Sequence, residues 1–108
     1  MANFDEKIID TVWKKANIVS MEYADIWRKD YAGAGIKKSD YGNCDSIYGW
    51  EIDHEKPVSE GGTDNINNLV PLQWENNRSK GDNYPRWNTV VSSNGNEYYR
   101  ITKPWEIK

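Results

Sequence analysis

The stretch GWEIDHEKPVSEGGTDNINNLVPLQWENNRSKGD, residues 49–82, decides how this chain folds. It opens with the apolar and polar alternation GWEID, which favours a short strand. The next dozen residues are rich in turn formers, and residues 69–72 favour a second short strand. Residues 73–80 hold good helix formers without Gly or Pro, and Gly81 suits a left-handed cap. The stretch therefore predicts the order strand, long loop, strand, helix.

Four polar residues in this stretch stand at regular places in the predicted elements. His54 is the only histidine of the chain and directly follows Asp53, Asn68 comes fourteen residues after it, and Asn77 follows nine residues later. An isolated Asp-His pair is more often an ordinary structural or surface feature. In register with Pro57 and a Gly-Gly pair, the same spacing predicts a catalytic site.

This pattern resembles the motif of the HNH endonucleases, whose fold is called ββα-metal. The resemblance implies that His54 activates a water molecule, that Asp53 and Asn77 bind a divalent metal ion, and that Asn68 holds the loop near the catalytic His. It also implies products with 5′-phosphate and 3′-hydroxyl ends. Further residues of the stretch fit the family pattern: Pro57, Gly61, Gly62, Leu69, Leu72 and Lys80.

The function expected from this resemblance is metal-dependent hydrolysis of phosphodiester bonds in DNA. Asp53 and Asn77 offer hard oxygen donors, which favour Mg²⁺ or Mn²⁺, with Ni²⁺ or Zn²⁺ as alternatives. Arg78 and Lys80, just beyond the second ligand, are predicted to contact substrate phosphates. Glu51 is either an outer ligand or a solvated acid. The alternative function is a non-catalytic nucleic-acid or protein-interaction module that keeps the ββα scaffold.

Composition and charge bound this interpretation. A chain of 108 residues predicts one domain, residues 1–108, with a modest core to which six Trp and seven Tyr contribute. The net charge is −3, and residues 49–85 hold seven acidic and three basic side chains. Concentrated acids suit a cation site, whereas binding to DNA then requires a local basic face. With one Cys and one His the chain lacks the paired cysteines that bind zinc in many HNH proteins.

Outside the stretch, the fold is predicted to be α+β. Residues 3–16 favour an amphipathic helix with Asn3 and Glu6 as a capping box. The Asn94-Gly95 pair predicts the turn of a C-terminal β-hairpin. The N-terminal residues suit neither a signal peptide nor a membrane span, so a cytoplasmic location is expected. The oligomeric state does not follow from the sequence.

Two basic pairs lie in residues 17–48, where the signals for secondary structure are mixed. Arg28 and Lys29 precede the Gly-containing turn AGAG, and Lys37 and Lys38 follow it. A hairpin here would place them along a phosphate backbone, and solvated charge is the alternative.

Overall fold

The computed structural model describes residues 4–95 and 97–108. In this part of the chain two helices and three small antiparallel sheets confirm the predicted α+β class. In chain order the elements are α1 (Glu6–Trp13), β1 (Asn17–Ile18), β2 (Trp27–Lys29), β3 (Gly35–Lys37), β4 (Trp50–His54), β5 (Leu69–Gln73), α2 (Trp74–Lys80), β6 (Arg86–Asn94) and β7 (Glu97–Glu106).

Helix α1 is capped by Asp5, whose carboxylate accepts a hydrogen bond from the backbone N–H of Ile8 at 2.9 Å. The predicted capping residue Asn3 lies outside the described residues. The helix is shorter than predicted, and its buried residues are Val12 and Trp13. These two side chains anchor the helix to the core.

The N-terminal sheet consists of β1, β2 and β3 in that order. Trp27 pairs with Lys37 and Lys29 pairs with Gly35 across β2 and β3. The turn between these strands uses Gly33 at a φ of +93°, a conformation that residues with a Cβ rarely adopt. The mixed signals of this region thus resolve into a small sheet with very short strands.

The central hairpin joins β4 to β5, with Asp53 opposite Val70 and His54 opposite Leu69. Helix α2 follows β5 without a loop, because the side chain of Gln73 accepts hydrogen bonds from the first free N–H groups of the helix. The hairpin packs on α1 and β3 through one buried cluster: Val12, Trp13, Ala16, Ile36, Trp50 and Leu69.

The buried carboxylate of Asp30 links the N-terminal sheet to this hairpin. It accepts hydrogen bonds from the backbone N–H of Ala34 at 2.8 Å and of Gln73 at 3.0 Å. The side chain of Asn76 donates to it at 3.1 Å. Because the carboxylate is fully buried, desolvation raises the pKa of Asp30 to about 6 despite these hydrogen bonds.

Strands β6 and β7 form the C-terminal hairpin, which packs on α2. Asn76 accepts hydrogen bonds from the N–H groups of Val90 and Val91, and so joins the helix to β6. Asn94 is paired with Glu97, so the turn starts one residue later than predicted, at Gly95. Among the described residues no helix has the length and apolar character needed to cross a membrane.

Candidate active site

The end of β4 and the face of α2 border a cavity of about 270 Å³. Its lining brings together three residues that the sequence predicts to act together, Asp53, His54 and Asn77. The strand supplies the first two and the helix supplies the third, so the direct β5–α2 junction is what sets their separation. The complete lining is Ile52, Asp53, His54, Pro57, Val58, Asn77, Gly81 and Asp82.

Asp53 is a nearly buried carboxylate, with 7 % of its surface exposed. Desolvation raises its pKa to about 6, and the positive charge of Lys80 opposes this shift. The Nζ atom of Lys80 lies 3.0 Å from Oδ2 of Asp53, yet Oδ2 makes no hydrogen bond of acceptable geometry. The ammonium group of Lys80 donates a hydrogen bond to Oδ1 instead, at 3.4 Å, so the contact of Oδ2 with Lys80 is an ion pair without a hydrogen bond. This oxygen can therefore still coordinate a metal ion in competition with Lys80.

The position of Lys80 corrects the expectation that it contacts substrate phosphate. The side chain has no exposed surface, and its ammonium group also donates to the carbonyl oxygen of His54 at 3.0 Å. Lys80 lies three residues after Asn77 on α2 and therefore faces β4 rather than solvent. Its charge neutralises Asp53 from inside the protein.

His54 has a carboxylate partner that the sequence reasoning missed. Its Nε2 atom lies 2.6 Å from Oδ1 of Asp64, which belongs to the loop between β4 and β5. Phe4 packs against the imidazole, with the ring centroids 6.2 Å apart. The sequence feature that could have indicated this contact is a carboxylate in the loop between the two strands, because the hairpin brings that loop back to His54.

Asn68 closes the loop between the two strands of the hairpin. Its side chain accepts from the N–H of Lys56 at 2.8 Å and donates to the carbonyl oxygens of Lys56 and Thr63 at 3.0 and 2.8 Å. A Cβ on Gly62 would lie 1.7 Å from the carbonyl oxygen of Lys56, so only glycine fits there. Asn68 and Gly62 together bring the ends of the loop into contact.

The Asn77 side chain is oriented by Glu51. Its Nδ2 donates to Oε1 of Glu51 at 3.0 Å, which leaves Oδ1 as the free oxygen of the amide. Glu51, expected to be an outer ligand or a solvated acid, is half-buried and contacts the predicted ligand. Asp82 lines the same cavity and is a second carboxylate that the sequence reasoning passed over.

Arg78 lies on the exposed side of α2. Its guanidinium carbon is 5.1 Å from the ring centroid of Trp74, and Nη2 donates to Sγ of Cys44 at 3.0 Å. A planar cation stacked on an indole at the surface can still offer donors to an anion.

The two basic pairs of the N-terminal sheet do not act as pairs. Arg28 is buried and donates to the carbonyl oxygens of Lys14, Ala16 and Ala24, so it cannot reach a phosphate backbone. Lys38 forms an ion pair with Asp10 at 2.7 Å. Lys29 and Lys37 are therefore the half-exposed cations of this sheet.

Within residues 4–95 and 97–108, no three or more His, Cys, Asp or Glu side chains are grouped so that they could hold a metal ion by themselves. The two ligands predicted from the sequence, Asp53 and Asn77, would supply one carboxylate and one amide oxygen, and Asp82 lines the same cavity. Such a set fits an ion that keeps most of its coordination positions for water and phosphate.

Comparison with known families gives a match for the segment that contains this site. A family model described as HNH endonuclease matches residues 36–83, which include every residue that lines the cavity. The match confirms the resemblance for this segment, and an HNH domain indicates nuclease-type activity in general. HNH nucleases generally use divalent metal ions and act on nucleic acid. Comparison with curated proteins and with solved structures gave no match.

Proposed function

We propose that this protein is a metal-dependent endonuclease that hydrolyses phosphodiester bonds in DNA. The observation that carries this function is the convergence of Asp53, His54 and Asn77 on one cavity between β4 and α2, inside the segment that matches the HNH family. Strands β4 and β5 with α2 would then be the ββα-metal motif. Residues 1–108 act as one domain, because α1 packs on the same core as this motif.

The metal ion is held by Asp53 and Asn77. Oδ2 of Asp53, which contacts Lys80 without a hydrogen bond, and the free Oδ1 of Asn77 are hard donors, so Mg²⁺ or Mn²⁺ fits better than Ni²⁺ or Zn²⁺. When bound, the ion would neutralise charge on the phosphate and on the leaving 3′ oxygen. The ammonium group of Lys80 competes for the same carboxylate, so metal binding without DNA is weak.

His54 is the general base. Because the carboxylate of Asp64 accepts a hydrogen bond from Nε2, the proton of the neutral ring stays on that atom and Nδ1 carries the lone pair. Nδ1 then takes the proton of the attacking water. Asp64 is a positioning residue in this mechanism, since it fixes the tautomer and the orientation of the imidazole.

Asn68 acts through the loop rather than on the substrate. By binding Lys56 and Thr63 it holds the segment that carries Asp64 against the end of β4. Loss of these hydrogen bonds would free Asp64 and with it the orientation of His54.

Arg78 binds a substrate phosphate from the exposed side of α2. Lys80 has the internal role of balancing the charge of Asp53, which permits the carboxylate to remain ionised in a nearly buried place. The two basic residues of the helix therefore have different roles.

The decisive experiment is incubation of supercoiled plasmid with the protein in Mg²⁺ or Mn²⁺, with and without a chelator. We expect nicked or linear product only with metal, and no product from His54→Ala at matched concentration. A parallel incubation with single-stranded and structured RNA identifies the nucleic acid. Absence of cleavage of any nucleic acid in either metal, with the protein folded, would favour the non-catalytic module instead.

A further inference from the structure

A second cavity of about 460 Å³ lies on the N-terminal sheet and contains none of the candidate catalytic residues. Its apolar wall includes Val19, Tyr23, Trp27 and Tyr48. The volume is in the range of small-molecule binding sites, which are mostly apolar with a few polar groups at the edge.

The register of the sheet determines which side chains surround this cavity. Trp27 is opposite Lys37, and Lys29 is opposite Gly35. Since neighbouring residues of a strand point to opposite faces, Trp27, Lys29 and Lys37 share one face of the sheet. Arg28 points to the other face and is buried there.

Aromatic surface dominates this face. The rings of Trp27 and Tyr48 pack edge to face with centroids 4.9 Å apart. Tyr23 lies beside them and is 51 % exposed, although an aromatic ring of this size is usually better covered. The arrangement suits a planar ligand that stacks on an aromatic ring.

The charge of the cavity is opposite to the charge of the chain. The protein carries a net charge of −3, yet the cavity lining among the described residues includes Lys29 and no acidic residue. Arg28 also borders the cavity, but its side chain points to the other face of the sheet. The ammonium group of Lys37 lies 5.6 Å from the ring centroid of Trp27. The guanidinium of Arg28 is used by three backbone carbonyls. The ammonium group of Lys29 donates to the carbonyl oxygen of Ser93 at 3.3 Å and keeps further N–H donors, so Lys29 and Lys37 are the cations that a ligand can reach. The ligand should therefore be both planar and anionic.

We propose that this cavity binds an unstacked base of a single-stranded nucleic acid, while Lys29 and Lys37 contact the flanking phosphates. This inference deepens the proposed function, on which it rests for the choice of nucleic acid over other planar anions. Bases in a continuous duplex have their faces covered by their neighbours, so the cavity selects single strands or opened bases.

The test measures binding without cleavage. A fluorescent single-stranded oligonucleotide is titrated with the His54→Ala protein in chelator, in parallel with an abasic oligonucleotide of the same length. Stacking of one base on aromatic side chains should make the intact strand bind about tenfold more tightly than the abasic strand. A duplex of the same sequence should bind less tightly than the single strand. Equal affinity for the intact and abasic strands would overturn the proposal.

Two pairs of variants assign the binding to this cavity. Tyr23→Ala should remove most of the preference for the intact strand, whereas Tyr99→Ala should keep it, since Tyr99 is exposed to a similar 42 % on β7. Lys37→Gln should lower the slope of log affinity against log salt by about one. Lys103→Gln, which removes an exposed charge from β7, is the control. Equal effects of the matched variants would place the binding elsewhere.

Two further results separate this inference from the proposed nuclease function. If the protein fails to cut plasmid but binds the intact strand more tightly than the abasic strand, the result supports base binding at the second cavity and contradicts the proposed nuclease function. Binding of free mononucleotides as tight as that of the strand would contradict the proposed contacts to flanking phosphates. In that case the ligand would be a nucleotide and not a strand.

Discussion

The two cavities of this protein differ in the charge of the residues that line them. The cavity at the end of β4 includes Asp53 and Asp82, and its basic neighbour Lys80 is buried behind the carboxylate. The cavity on the N-terminal sheet is apolar, and its charged lining is basic. An acidic chain can act on a polyanion when its acids are gathered where a cation is bound and its accessible lysines lie elsewhere.

The comparison also shows that some basic residues form internal contacts and others are accessible to a ligand. Arg28 and Lys80 donate to carbonyl oxygens inside the protein, whereas Lys37 and Arg78 reach the surface. If the two cavities are independent, chemistry and base recognition can be removed separately.

Removal of the general base should have the largest effect. We expect His54→Ala to lower the cleavage rate by about 10²–10⁴-fold, because a positioned base contributes a factor of this size. Neither proposed metal ligand changes, so metal binding and the melting temperature should stay near those of the parent. Added imidazole should restore part of the rate. Plasmid cleavage under matched Mg²⁺ tests the cavity at the end of β4 in this variant. Single-strand binding in chelator tests the cavity on the N-terminal sheet in the same variant.

A His54→Ala protein that cuts as fast as the parent would show that another group is the base. Loss of single-strand binding in the same variant would show that the two cavities are coupled.

Lys80→Met should destabilise the protein by about 3–5 kcal/mol, because it leaves the buried carboxylate of Asp53 without its charged partner. Arg78→Met is the matched control on the same helix. Its side chain is exposed, so we expect a change within about 0.5 kcal/mol in stability together with weaker DNA binding. Urea denaturation of both variants gives the comparison. If Lys80→Met melted like the parent and lost only DNA affinity, Lys80 would contact a substrate phosphate, as the sequence predicts, and would not stabilise Asp53.

The carboxylate that joins the regions carrying the two cavities should make stability depend on pH. Burial raises the pKa of Asp30 from 3.8 to about 6 in the folded protein. The folded state therefore binds this proton more tightly than the unfolded state, and the free energy of unfolding falls as the pH rises from about 4 to about 6. The contribution of this residue to the change is about 3 kcal/mol.

The measurement compares the parent with Asp30→Asn at pH 4 and pH 7. The absolute stability of the variant should drop, because the Asn amide keeps one acceptor oxygen and places its NH₂ group against one of the two N–H groups that donate to the Asp30 carboxylate. Its pH dependence should be flatter than that of the parent by about the stated amount. Asp25→Asn, at an exposed position, should leave the pH dependence unchanged. Parallel curves for the parent and Asp30→Asn would mean that folding does not raise the pKa of Asp30.

The smallest effect is expected at Asn68. Asn68→Ala removes three hydrogen bonds that close the loop, and we expect a loss of about 1–3 kcal/mol in stability with a lower cleavage rate. The neighbour Asn67 is exposed, so Asn67→Ala is the control. Thermal melting and plasmid cleavage on the same samples test both effects. Unchanged melting with full activity would remove Asn68 from the site, and binding at the second cavity should not change.

Local sequence patterns account for much of the central segment. The alternation in GWEID predicts a strand at the place of β4, and the turn formers predict the long loop that Asn68 and Gly62 close. The bounds of β5 and α2 lie within a residue of the predicted ones, and the end of α2 matches because Gly81 is a strong boundary signal. The N-terminal sheet could not be predicted, since β1, β2 and β3 have two or three residues each and such short strands carry no period.

The sequence by itself determined the order of the elements around the motif, the HNH resemblance and the few side chains that can act as base or ligand. These depend on residue types and spacings along the chain. Only the tertiary structure decided that Lys80 neutralises Asp53 from within, that Asp64 contacts His54, and that an aromatic cavity forms beside Lys37. Each of these depends on which face of an element is buried and on contacts between residues far apart in sequence, and the spacing of residues does not encode either one.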